Sequence, residues 1–257
     1  MSAATLDGPP QFTPGFCGKL SSHGDFVTRR LPRSFLAPWE EWLNDCLQSS
    51  RERLGSEWLD IYLTSPIWRF VTRKGALDDV AWTGVLMPSV DKVGRHYPLT
   101  LAVDLPHEGP TLSSLGENSA WYDRAEDLAL SSLDDDFDFD SFDDAVRTLG
   151  EPGGRIASTR CLTGDKQGQT QWYFAVRSEA DLRGAFGDVL EQLSADVLRR
   201  CTVWWTSGSE RVPPSIVVCP GLPAASGFAA FLDGRWYQWG WNRELSGASP
   251  DNLPSNP

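Results

Sequence analysis

A layered α/β fold, with a mixed, partly antiparallel β-sheet flanked by helices, is predicted by three features of the 257-residue sequence. Amphipathic helical stretches alternate with short β-branched or aromatic runs along most of the chain. Two of those runs, joined by a polar loop, read as a hairpin and supply an antiparallel pair. Hydrophobic residues make up 40% of the chain and charged residues 23%, which is enough apolar surface to close a core without disulfide or metal staples.

Residues 1–14 mix Gly, Pro, Ala and Thr without periodicity and are expected to form a disordered N-terminal segment. Phe35, Leu36, Trp39, Trp42, Leu43, Cys46, Leu47 and Leu54 recur at spacings of three and four, the signature of an amphipathic helix, with Pro38 assigned to its first turn. Trp58, Leu59, Tyr62 and Leu63 predict a second, short helix that stops ahead of Pro66, because a residue preceding proline avoids the helical region. Strands are predicted over 67–71, 82–87 and 97–103, the last two forming the hairpin around a loop at 88–96. That loop is longer than a tight turn requires, and long polar loops often carry function.

Helices are predicted over 115–133 and 142–149, separated by an acidic linker at 134–140. The linker divides a first region, 15–133, from a second α/β region, 141–245, packed on the same domain; a disordered tail over 246–257 follows. In the second region a strand is expected at 171–176 and a helix bearing Leu182, Phe186, Val189, Leu190, Leu193, Val197 and Leu198 on one face. Strands at 202–206 and 216–219, a short helix at 227–232 and a closing strand-like segment at 236–241 complete it. The 12 tryptophans fall mainly on these helical faces and strands, where large rings fill space between layers, and only Trp236, Trp239 and Trp241 are left as candidates for exposure.

Charge narrows the functional classes. Lys and Arg total 23 against 35 Asp and Glu, a formal net charge of -12, and such a surface repels phosphate backbones and anionic lipid. Neither nucleic acid nor membrane insertion is expected. The 5 cysteines, Cys17, Cys46, Cys161, Cys201 and Cys219, are widely spaced and odd in number, so they read as free thiols of a reducing compartment. With no basic segment leading into an apolar run near Met1 and no long apolar stretch, the expected location is the cytoplasm.

The usual catalytic patterns are missing. Gly15-Phe16-Cys17-Gly18-Lys19-Leu20-Ser21 has the wrong spacing for a phosphate-binding loop and a leucine after its lysine. No G-x-G-x-x-G, H-E-x-x-H or G-x-S-x-G occurs, so dinucleotide, zinc-protease and hydrolase-elbow chemistry have no motif. Ser22-His23-Gly24-Asp25 holds the residue types of a hydrolase triad, but such groups normally converge from separate elements. Cys17, His23 and His96 lack paired-ligand spacing, and the aspartates at 134, 136, 138 and 140 lack the glycine and glutamate of a calcium loop, since Phe139 and Ala145 stand there. Neither a metal nor a cofactor is expected, and the chain reads as a non-enzyme.

Several segments, taken in order, carry a family likeness: Gly18-Lys19-Leu20 with Gly24-Asp25-Phe26-Val27, Trp39-Glu40-Glu41-Trp42-Leu43, Ser65-Pro66-Ile67-Trp68-Arg69-Phe70, and the run Gly84-Val85-Leu86-Met87-Pro88-Ser89-Val90-Asp91-Lys92-Val93-Gly94-Arg95. Tyr97-Pro98-Leu99-Thr100, Trp204-Trp205-Thr206 and Phe228 to Gly234 before Trp239-Gly240-Trp241 continue it. Together they resemble the TagF/ImpM proteins associated with bacterial type VI secretion. The resemblance implies an α/β accessory protein that represses assembly of the secretion system post-translationally, with a forkhead-associated scaffold protein as partner. Cys17 and His23 depart from the residues usual in the family at those positions.

On that reading Ser89, Asp91, Lys92 and Arg95 of the long loop form the first candidate partner-binding surface, with an internal ion pair or turn hydrogen bond as the structural explanation for Asp91 and Arg95. Lys19, Asp25 and Arg29 form a second. Two other classes stay open: an anion-binding module or enzyme in which Lys19, His23, Arg95 and His96 converge on a phosphate-like ligand, and a structural accessory subunit of the secretion apparatus.

Overall fold

A computed structural model describes residues 13–105, 119–150, 152, 160–166, 169–175 and 200–241, with backbone alone for 160–166 and 169–175. Its centre is a 7-stranded sheet in the order β2-β1-β5-β4-β3-β8-β9. The strands are β1 (Gly15–Gly18), β2 (Val27–Arg29), β3 (Trp68–Thr72), β4 (Ala81–Met87), β5 (Leu99–Leu105), β8 (Cys201–Thr206) and β9 (Ser215–Pro220). A separate hairpin pairs β6 (Arg160–Lys166) with β7 (Gln169–Ala175). The layered α/β architecture agrees with the sequence reading, but among the described residues every strand ladder is antiparallel, so the expected mixed sheet is there an antiparallel one. The reason is topological: the helical crossover from β2 to β3 joins strands that run the same way, yet β1, β5 and β4 lie between them.

Helix α1 (Arg33–Leu54) buries Phe35, Trp39, Trp42, Leu43, Cys46, Leu47, Ser50 and Leu54 along one stripe, and Gly55 at φ 55 ends it. Pro38 lies in the second turn rather than the first, because the helix already begins at Arg33. After a 3₁₀ turn at Gly55–Glu57, α2 (Trp58–Leu63) packs with α1 on the same face of the sheet, joined by α5 (Ala229–Asp233). The opposite face is covered by α3 (Ser119–Ser131) and α4 (Phe139–Thr148), whose Trp121, Tyr122, Ala125, Phe142 and Val146 meet Phe16, Val85 and Leu101.

The acidic run is mostly a turn, and it starts a helix. Asp138 caps α4 by accepting a bond from the Ser141 N–H at 2.9 Å, and the Ser141 side chain together with that N–H lowers its carboxyl pKa. The tryptophans fill the interlayer space as expected, and their buried indole N–H groups find acceptors: Trp39 on Thr100, Trp42 on Pro223, Trp58 on Ser50, Trp68 on Phe231 and Trp204 on Thr202. The closing segment is not a strand but a 3₁₀ turn at Trp236–Trp239. It is held by Trp239 Nε1 on Asp233 at 2.8 Å and Trp241 Nε1 on the Gly227 carbonyl at 3.2 Å, and its half-buried tryptophans pack on the α1 side of the core. The expected helix over 182–198 and both terminal tails, apart from residues 13 and 14, lie outside the described residues.

Candidate functional site

The loop between β4 and β5 is built around one buried carboxylate. Asp91 is 3% exposed, and its Oδ1 accepts from the backbone N–H of Val93 at 3.0 Å and of Arg95 at 2.8 Å. Its Oδ2 accepts from Arg95 Nε at 2.7 Å and from Lys19 Nζ. The backbone closes the same turn, with Asp91 N–H on the Arg95 carbonyl at 3.0 Å and Gly94 N–H returning to the Asp91 carbonyl at 3.0 Å. Gly94 sits at φ 85, a conformation that favours glycine. Burial pushes the Asp91 pKa upward, but the hydrogen bonds from Lys19, Arg95 and Val93 outweigh it and hold the carboxyl well below the usual carboxylate range. Asp91 is therefore an anion wherever the protein is folded near neutral pH.

Two further anchors fix this loop to its surroundings. Ser89 is 1% exposed; its Oγ donates to the Lys19 carbonyl at 2.7 Å, tying the β4–β5 loop to the segment after β1. From α2, the Tyr62 hydroxyl donates to the Ser89 carbonyl at 2.9 Å and accepts from the Ser89 N–H at 3.0 Å. Burial raises the Tyr62 pKa, so the hydroxyl stays protonated and can do both. Lys92 N–H on the His23 carbonyl at 3.1 Å, and Arg95 Nη2 on the Gly24 carbonyl, stitch the loop to the β1–β2 connection.

The structure thus gathers most of the sequence-derived candidates and splits their roles. Ser89, Asp91 and Lys19 are internal braces. Lys92 and Arg95 reach solvent beside Asp25, whose carboxylate is fully exposed 3.9 Å from Arg95. Arg29 does not belong to this group: it lies on β2 with its guanidinium over Phe139 at 5.0 Å and 4.0 Å from Asp143. Two apolar side chains complete the exposed surface and were not singled out from sequence, Val93 at 68% and Phe26 at 39% exposure. Phe26 is propped edge-on against Tyr97 at 5.4 Å.

The four residues of the anion-site alternative do not converge. Lys19 and Arg95 are committed to Asp91, so the protein's own carboxylate already occupies their charge. His23 packs tilted against Phe139 at 4.6 Å with Nδ1 on Ser22, and His96 faces Trp58 and Tyr62 at 5.6 and 5.9 Å. Burial, then the Arg51 charge, lowers the His96 pKa. An open groove of about 450 Å³ lies elsewhere, between Ser34, Asp78, Val80 and Arg200, and none of the sequence-derived candidates lines it. Among the described residues no helix is long and apolar enough to cross a membrane, and Cys17, Cys46 and Cys219 are buried free thiols.

Residues 15–149 match the family model for the TagF N-terminal domain, described as type VI secretion system-associated. The fold is similar to that of PA0076 from Pseudomonas aeruginosa PAO1, known from a crystal structure, with a TM-score of 0.73 and 34% sequence identity over 95% of this chain and 100% of that one. A search of curated proteins finds no match.

Proposed function

The chain belongs to the TagF family of type VI secretion system-associated proteins, and we propose that it is a cytoplasmic regulator that represses assembly of that system post-translationally, by binding the forkhead-associated scaffold protein. The observation that carries this reading is the division of labour in the β4–β5 loop. A buried Asp91, braced by Lys19, Ser89 and Tyr62, costs desolvation that a merely connecting loop has no reason to bear. The return is a pre-ordered surface of Lys92, Val93, Arg95, Phe26 and Asp25, which combines apolar contact with charge and loses little entropy on docking.

The test is release of the secreted tube protein after deletion of this gene, with transcript levels of the secretion genes measured alongside. Release should rise without a transcriptional change, return to the repressed level with the wild-type gene, and stay high with Lys92→Glu combined with Val93→Asp. Purified scaffold should bind the wild-type protein and lose at least about tenfold in affinity for the double variant. A fall of release to background on deletion would overturn repression and place the protein among the components needed for assembly.

A further inference from the structure

The two edges of the central sheet are finished differently. At one edge, β2 is only 3 residues long. Arg29 and Arg30 stand there, Arg30 at φ 59, and Arg30 binds Asp143 of α4 at 2.6 Å through its carboxylate and at 3.2 Å through its carbonyl. Charge, proline, shortness and a covering helix are the usual means of blocking an edge from pairing, and of these β9 carries only a proline at its last residue, Pro220, beyond the outward groups of Ile216 and Val218. At the other edge, β9 reads Ser215-Ile216-Val217-Val218-Cys219-Pro220, with no charged residue and three β-branched ones in succession. Ile216 is 75% exposed and Val218 47%, and among the described residues the strand pairs only with β8.

The register shows what this edge offers. Gly221 N–H donates to the Arg200 carbonyl, and the alternation of an antiparallel ladder then directs the peptide groups of Cys219, Val217 and Ser215 toward β8. The N–H and C=O of Ile216 and Val218 point away from β8, to a side that no strand among the described residues pairs. Their side chains share a face with Trp205 and Val203, opposite which they are registered on β8.

We propose that β9 is the seam of a symmetric dimer, in which it pairs antiparallel with β9 of a second copy about a two-fold axis at Val217. Ile216 of one protomer then lies opposite Val218 of its partner, and each such pair exchanges both of its outward hydrogen bonds. One rung across the seam reads Trp205, Ile216, Val218 of the partner subunit, Val203 of the partner subunit, an unbroken apolar row that symmetry repeats. Two chains of charge -12 repel at most approaches, and they meet here on a strand where neither carries charge. Because the β2 edge is blocked, edge pairing of the central sheet closes at two copies and does not run on into a filament.

Sedimentation equilibrium of the purified protein from about 1 to about 300 µM tests this. The expected result is a rise from the monomer mass of 28.5 kDa toward twice that value with concentration. Val218→Pro removes an outward N–H that plays no part in the β8–β9 ladder, and by symmetry two seam bonds; it should weaken the dimer at least about tenfold, with the melting temperature unchanged at concentrations where the wild type is monomeric. If that variant does not fold, Ile216→Lys, at a side chain already in solvent, decides in its place. A monomer at every concentration, or a dimer that survives the substitution in a folded variant, overturns the proposal.

Discussion

Replacing Tyr62 by phenylalanine isolates the anchor between α2 and the β4–β5 loop, because it removes one oxygen from a ring that is 1% exposed and leaves the packing volume almost unchanged. The Ser89 N–H loses its acceptor, whereas the Ser89 carbonyl keeps a second donor, the Tyr97 N–H at 3.1 Å. An orphaned buried N–H costs about 1–3 kcal/mol and the lost second bond to the carbonyl about 0.5–1 kcal/mol, so the total should be about 2–3 kcal/mol. For a chain of this size that corresponds to a fall in Tm of roughly 4–12 °C. Urea denaturation measures the free energy, and amide hydrogen exchange at Ser89 reports whether the effect is local. A loss below about 0.5 kcal/mol with unchanged exchange at Ser89 would refute the claim that this hydroxyl holds the loop.

Arg69 binds Glu126 through Nε and Nη2 at 2.7 and 2.9 Å and Asp123 at 2.7 Å, bolting β3 to α3, so Arg69→Met should cost about 2–3 kcal/mol by urea denaturation, less than the roughly 3–5 kcal/mol of a fully buried pair because Asp123 is well exposed. Gly84 lies in β4 where an added Cβ would stand 2.0 Å from the Leu101 carbonyl and 3.0 Å from the Ala102 Cα; Gly84→Ala should therefore prise β4 from β5 and yield insoluble protein on expression, and a soluble variant with wild-type Tm would contradict the register. Asp91 has a folded-state pKa depressed below the unfolded value of about 3.9, so its contribution is fully present above that pH and is lost as pH falls through the folded value. A plot of Tm against pH should accordingly fall less steeply in acid for Asp91→Asn than for the wild type, from a lower starting point at pH 7.

The sequence was most legible where one periodicity ran long enough to be unambiguous. α1 stands out through eight buried positions on a helical stripe, and the β4–β5 hairpin through β-branched runs on either side of a polar loop. β1 was missed because two of its four residues are glycines, which carry no strand signal; they are there because a Cβ at Gly15 or Gly18 would stand 2.4 Å from the Arg29 carbonyl or 2.2 Å from that of Pro98. The closing tryptophans read as a strand by alternation, whereas Gly234 and Gly240 at positive φ and the hold of Asp233 on Trp239 turn the backbone instead. At the loop, Ser89, Asp91 and Arg95 were picked out by residue type and position. The burial of Ser89 and Asp91 was not readable, because it depends on Lys19 and Tyr62 arriving from elements some 70 and 27 residues away from Ser89 along the chain.

That burial changes how charge substitutions in this loop must be interpreted. Lys19 and Asp91 sit inside the protein, so Lys19→Ala or Asp91→Ala leaves a buried partner charge uncompensated and disturbs the whole turn, and any loss of partner binding then reports folding as much as contact. Arg95 is intermediate: its guanidinium is half in solvent, yet its Nε and its backbone N–H both serve Asp91. Lys92 differs in kind. Its backbone N–H is used by the His23 carbonyl, which any residue but proline supplies equally well, and its side chain is exposed. Among the charged residues of the loop, then, Lys92 is the one whose reversal to glutamate should leave Tm within about 1–2 °C while altering affinity, the separation a docking surface requires and a purely structural turn does not show.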